Sequence, residues 1–208
     1  MNILKEMQSL MKQNGMRVTN NNSLDMNPTS TRYLVADYLN YRLSKQNFVW
    51  RGCPPLESSA KKIHNAMRSL ADEFEKRYSR EFNDMVEQLH INPDIAYSTF
   101  IAVAQELFID GINWGRIVAL FTFGGSIAIE CMLKRMEHLV DSIYEWVSTY
   151  VRDHLEDWIS THNGWDGLTE FYEKSPDKND KSIWPSFGKL CIGAAGILAL
   201  GAIFTQKS

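Results

Sequence analysis

Between Arg116 and Glu130 the chain carries thirteen consecutive residues, Ile117 to Ile129, without a single charge. A surface helix shows one apolar stripe, whereas a helix that is apolar nearly all round has to be wrapped by other helices or to enter lipid. The stretch NWGRIVALFTFGGSIAIECMLKR, residues 113–135, therefore limits what the rest of the chain can build around it. Asn113 stands where an N-cap is needed. Gly124 and Gly125 fall in mid-helix, where each costs about 1 kcal/mol relative to Ala, so a neighbour is expected to pack closely against them. Arg116 falls in the first turn, where the helix dipole disfavours a cation. It calls for an acidic partner, and Gly115 leaves room for another backbone to approach.

A length of 208 residues, 44% of them hydrophobic and six of them Trp, suits one domain of about 150–180 residues with appendages. The net charge of −3, with no basic block, argues against a nucleic-acid partner. Cys53, Cys131 and Cys191 are odd in number and widely spaced, which fits reduced thiols in the cytosol. The first eighteen residues, interrupted by Lys5, Glu6 and Lys12, do not read as a signal peptide. The histidines form no HExxH pair, and there is no phosphate-binding glycine loop or GxSxG elbow. Cys131 has no evident base beside it. No catalytic residue, metal or cofactor is expected, and the chain does not read as an enzyme.

Residues 1–30 read as a flexible N-terminal segment, with NNNSLDMNPTS at 20–30 as linker. From Thr31, the expected cap, TRYLVADYLNYRLSKQ places Leu34, Val35, Tyr38, Leu39, Tyr41 and Leu43 on one side of a helix. Pro54 and Pro55 then forbid helix in a connector of about ten residues. A second helix is expected from Glu57 to Tyr78, with Ile63, Met67, Leu70 and Phe74 on one face. A short irregular helix follows over 79–89, with Phe82, Met85 and Val86 inward. A strongly apolar helix is expected from Ala96 to Ile109, ended by Gly111. The central helix comes next, and Met136 to His154 returns as its hairpin partner with a minimal turn. Residues 154–172, HLEDWISTHNGWDGLTEFY, read as two short helices broken at Asn163-Gly164. After a charged linker at 173–183, Trp184 to Phe204 carries Lys189 as its only charge. That is about 31 Å of helix, the thickness of a hydrocarbon core.

Four segments resemble the homology motifs of the Bcl-2 family, and they occur in that family's order over residues 31–172. NWGR with its apolar run resembles the first motif. Trp158, Ile159, Gly164, Trp165 and Asp166 resemble the second, and MRSLADEF (67–74) the third. The helix at Thr31, with Phe48 and Trp50 trailing it, resembles the fourth. In the third motif Met67 stands where Leu is usual and Ala71 where Gly is common. The connector at 51–60 is also far shorter than the long loop of many vertebrate relatives.

The resemblance implies an all-α globular helical bundle around a central apolar helix hairpin, spanning 31–172, with a C-terminal transmembrane helix at 184–205. It implies a hydrophobic groove that takes an amphipathic helix. Phe74, Tyr78, Glu81, Phe82 and Met85 would form one wall, and Val103, Leu107, Val118, Ala119 and Phe123 the floor and the opposite wall. Arg116 would pair with an acidic residue of the incoming helix, with Asn113 bonding nearby and Gly115 admitting the ligand backbone. Tyr172 would close one end. Ile109, where relatives commonly place a basic residue, and Glu81, where a small one is usual, would narrow the ligand range. The implied partners are amphipathic helices of pro-apoptotic relatives, both Bax/Bak-like and motif-only, and an autophagy protein in the same groove. The implied location is the mitochondrial outer membrane, or that of the endoplasmic reticulum, with the bulk of the protein facing the cytosol. A rival function shares the fold, the NWGR-type motif and the tail: a Bax-like effector that oligomerises into pores. A third, a toxin-like membrane hairpin, shares the apolar hairpin alone, and the four ordered motifs argue against it.

Overall fold

The computed structural model describes residues 27–57 and 61–174. The expected N-terminal segment up to 26, the linker beyond 174 and the apolar stretch Trp184 to Phe204 lie outside the described residues. The elements run α1 Thr31–Lys45, α2 Lys62–Gln88, α3 Ala96–Leu107, α4 Trp114–Leu133 and α5 Leu139–Tyr150. A π-helical turn, Val151–Leu155, leads into α6 Glu156–Thr161 and α7 Asp166–Lys174. Among the described residues there is no strand; the fold is all-helical.

The central apolar helix is α4, and it touches α1, α2, α3 and α5. Its uncharged run is buried almost throughout; Ile117, Val118, Ala119, Leu120, Ile127 and Ala128 have no exposed surface. Full burial of a large apolar side chain stabilises by about 1.5–3 kcal/mol, so this row contributes substantially to the packing free energy. The neighbours present the faces that periodicity predicts. Leu34, Val35, Tyr38, Leu39 and Leu43 of α1 are buried, as are Ile63, Met67, Leu70 and Phe74 of α2. Both predicted rows of α5, Leu139, Ile143, Trp146 and Tyr150 with Val140, Val147 and Val151 beyond, are buried too.

The mid-helix glycines of α4 are explained by close approach. A Cβ on Gly124 would lie 2.8 Å from Val147 Cγ2 of α5, and one on Gly125 would lie 3.2 Å from Tyr38 Cε1 and Arg42 Cγ of α1. The two glycines thus let α4 sit tightly between its hairpin partner and the first helix.

Several boundaries differ from expectation. Ser30, not Thr31, caps α1, its hydroxyl accepting from the Tyr33 amide at 3.2 Å. Thr31 Oγ1 instead accepts from Trp165 Nε1 at 3.0 Å, tying α1 to the start of α7. Helix α2 begins at Lys62 rather than Glu57. The two helices expected over 57–89 meet where expected: the run Lys62–Gln88 is broken by non-helical backbone at Tyr78 (φ −119°, ψ 20°), the residue at which the first was expected to stop. Neither Pro nor Gly occurs between Lys62 and Gln88, so the break owes nothing to either. The hairpin turn is longer than expected, running to Leu139 through Arg135 at φ +59°.

Buried His64 fastens the start of α2 to the segment ahead of α1. Its Nδ1 accepts from the Lys61 amide at 3.0 Å, which leaves the proton on Nε2 to donate to the Pro28 carbonyl at 2.9 Å. The ring stacks on Tyr33, centroids 5.2 Å apart.

Candidate functional site

The site begins where α3 stops. Phe108 caps α3, and Gly111 at φ +102° reverses the chain into the extended Asn113. A positive φ is the conformation that glycine adopts without strain. Asn113 then caps α4, its Oδ1 accepting from the Arg116 amide at 2.9 Å. This fixes the first turn and aims Arg116 back across the loop. Arg116 Nη1 donates to the Gly111 carbonyl at 2.6 Å, and Nη2 to Asp110 Oδ2 at 3.3 Å. The arrangement answers the cation's unfavourable place in the first turn: a carbonyl and a carboxylate offset the helix dipole. The Arg116 side chain retains 14% exposure, while that of Asp110 retains 75%. Gly115, the next position back, is buried.

Most of the apolar residues expected to line a groove are buried. Val118 and Ala119 are fully buried, Phe123 is 1% exposed, and Phe74 is fully buried. Val103 and Leu107 of α3 are 2% and 5% exposed. Phe123 stacks on Phe100 of α3 with centroids 6.2 Å apart, and Phe74 lies against Tyr78 at 5.1 Å. Tyr78 sits at the break in α2, half-buried. Asn113 is exposed, and Tyr172 on α7 is 39% exposed. The side chains of Glu81, Phe82 and Met85 lie outside the described ones, although their backbone is helical. The residues expected to form the floor, on α4 and α3, are therefore covered rather than open. Ile109 projects from the loop at 71% exposure, beside Asp110.

A concave surface of about 410 Å³ lies past the start of α4. Trp114, His162, Gly167, Phe171 and Lys174 contribute to it. The residues of the second-motif segment close this end. Trp114 meets Trp158 at 5.1 Å and Trp165 at 6.0 Å, and Phe121 meets Trp165 at 5.9 Å. Such aromatic contacts hold α6 and α7 against the first turn of α4.

Sequence reasoning missed the polar seam between α1 and α2. Asp37, buried, accepts from Arg68 Nε at 3.0 Å and Nη2 at 2.5 Å. Tyr41 Oη donates to Asp72 Oδ2 at 2.6 Å, and Lys45 Nζ bonds Asp72 Oδ1 at 2.9 Å. Arg42 pairs with Glu75 behind them. Burial pushes the Glu75 carboxyl above its ordinary value, with Arg42 pulling partly the other way. The charged residues Asp37, Arg42 and Lys45, which fall among the apolar positions of α1, were the available signal. It also missed Asp110 as the partner of Arg116.

Comparison with known proteins bears on this arrangement. A family model described as apoptosis regulator proteins, Bcl-2 family, matches residues 67–165. Mouse Bcl-2-like protein 1 is 33% identical over 230 residues, covering 86% of this chain and 99% of that protein. The human Bcl-2-like protein 1 is 43% identical over 148 residues, 70% of this chain and 64% of that protein, so this chain matches just under two thirds of the human relative. Apoptosis regulator R1 of Xenopus laevis is 35% identical over 184 residues, covering 85% and 79%.

Proposed function

Since the chain belongs to the Bcl-2 family of apoptosis regulators, we propose that it is a pro-survival member acting by capture of ligand helices. It takes the third homology motif of pro-apoptotic relatives in a hydrophobic groove and so holds back permeabilisation of the mitochondrial outer membrane. The observation that carries this reading is Arg116, a cation held at the mouth of an apolar row by its own loop. An incoming helix would lay its apolar residues along Val118, Ala119, Phe123, Val103, Leu107 and Phe74, and its acidic residue against Arg116. Apolar anchors supply most of the affinity in such a mode, and the charge fixes register.

The floor is covered in the described chain, so ligand entry requires it to be uncovered. Relatives of this family act as regulators rather than enzymes, and the chain is read in the same way. Residues 184–205 are proposed as an anchor in the mitochondrial outer membrane or the endoplasmic reticulum membrane, with the folded part in the cytosol.

The second reading is the Bax-like effector. It is favoured by α4 itself, which is long and apolar enough to cross a membrane, although the buried core helix of a soluble protein meets the same criterion. The test is release of dye from vesicles of mitochondrial lipid composition by a Bax-like effector. Suppression of release by the whole chain supports the first reading, and release caused by the chain alone supports the second.

A further inference from the structure

The partner that Arg116 already has bears on how the groove chooses its ligands. Asp110 and Arg116 are six positions apart, yet the Gly111 turn folds the carboxylate back onto the guanidinium at 3.3 Å. Arg116 Nη1 is occupied by the Gly111 carbonyl at 2.6 Å, and Nη2 is the atom that Asp110 holds. The first of these bonds is to backbone and rigid. The second is to a side chain that is 75% exposed and bonds nothing but Arg116 among the described contacts.

We propose that Asp110 is a specificity-determining residue, an internal carboxylate that stands in for the ligand's acidic residue and has to be displaced from Arg116 before a ligand can pair there. The inference rests on the ligand-capture reading above and states how that same site is regulated. Two effects act in the same direction. Asp110 occupies a guanidinium donor that the ligand needs, and its negative charge repels a second carboxylate brought to the same place. A carboxylate that is mostly in water holds Arg116 weakly, so a good ligand displaces it and a poor one does not. Asp110 thereby lowers the affinity of acidic helices relative to helices that lack the acid, and it raises the apolar anchoring that an acidic helix needs in order to bind. Ile109, exposed beside it, adds no charge that would offset this penalty.

The test compares the whole chain with its Asp110→Asn variant, using two synthetic helices of the third-motif type. One carries the acidic residue and the other has it replaced by Asn. The variant is expected to bind the acidic helix about two- to five-fold more tightly, and the replaced helix with unchanged affinity. The gain should shrink as salt is raised. An Asp110→Ser variant should behave likewise, and a thermal melt of each confirms that it is folded. Equal affinities of wild type and variant for the acidic helix would overturn the proposal, as would weaker binding by the variant, which would mean that Asp110 contacts the ligand itself. If neither form binds either helix, the capture reading fails and this proposal falls with it.

Discussion

Tyr41 of α1 donates its hydroxyl to Asp72 of α2 at 2.6 Å, so the acidic residue of the third-motif segment is already engaged within its own chain. Lys45 holds the other carboxylate oxygen, and the apolar face of the same segment is buried against α4. The acid and the apolar anchors of this helix are thus both engaged within the folded chain. Hydrogen bonds to charged groups contribute about 1.5–3 kcal/mol, and the partial exposure here favours the lower end. Tyr41→Phe should therefore lower stability to urea by about 1 kcal/mol or somewhat more, with an unchanged m-value. No change in the midpoint would show that the bond is made equally well by water.

The Gly124–Val147 contact sets a second expectation. Ala in place of Gly gains about 1 kcal/mol of helix propensity, but overpacking a filled core costs about 1–3 kcal/mol. At Gly124 the obstacle is the short, buried Val147 side chain 2.8 Å away. At Gly125 it is in part the flexible stem of Arg42 at 3.2 Å. Gly124→Ala should be the more destabilising of the two in thermal or urea unfolding. The reverse order would contradict the packing described.

The α1–α2 seam has a pH signature. The Glu75 carboxyl is raised above its ordinary value of 4.5, burial being the largest cause. A raised carboxyl means that the folded chain binds its proton more readily than the unfolded chain does. Stability from this group is therefore greatest below about pH 4.5 and is lost as pH rises through the folded value. Unfolding free energy measured for wild type and Glu75→Gln across that window should differ in slope, with the wild type falling relative to the variant as pH increases. Parallel curves would show that Glu75 does not titrate abnormally.

Two thiols should be inert. Burial, with the nearby carboxylates Asp37 and Asp141, pushes Cys53 up to about 11. Burial and Glu130 push Cys131 up to about 12. At pH 8 on the order of a thousandth of Cys53 is thiolate, and less of Cys131. In a Cys191→Ser background, iodoacetamide should label the native chain at least about ten-fold more slowly than the urea-unfolded chain. Equal rates would overturn both assignments.

Much of the bundle was legible in the sequence because its signals are local and repeated. The rows on α1 and α5, the uncharged run of α4 and the Asn113 cap each follow from spacing within one helix. The Asn163-Gly164 break was legible for the same reason, and both residues take positive φ. What was not legible depends on contacts distant in sequence. Choosing Ser30 over Thr31 as the cap required knowing that Thr31 serves Trp165, 134 residues away. The π-helical turn at Val151–Leu155 has no sequence signature of its own. The residues expected to line a groove could be named from the resemblance, but their burial could not, because the burial of Val118 and Phe123 depends on how neighbouring elements sit over α4. Asp110 was close enough to Arg116 in sequence to have been considered, and was passed over in favour of an acid from outside the chain.

The measurement that bears most directly on function is a titration of the whole chain with labelled synthetic helices of the third-motif type, with Arg116→Glu in parallel. A pair between Arg116 and the ligand's acidic residue predicts submicromolar binding by the wild type, weakened at least about ten-fold by the charge reversal. Absence of binding to any helix in a broad panel, or binding indifferent to Arg116→Glu, would contradict the account.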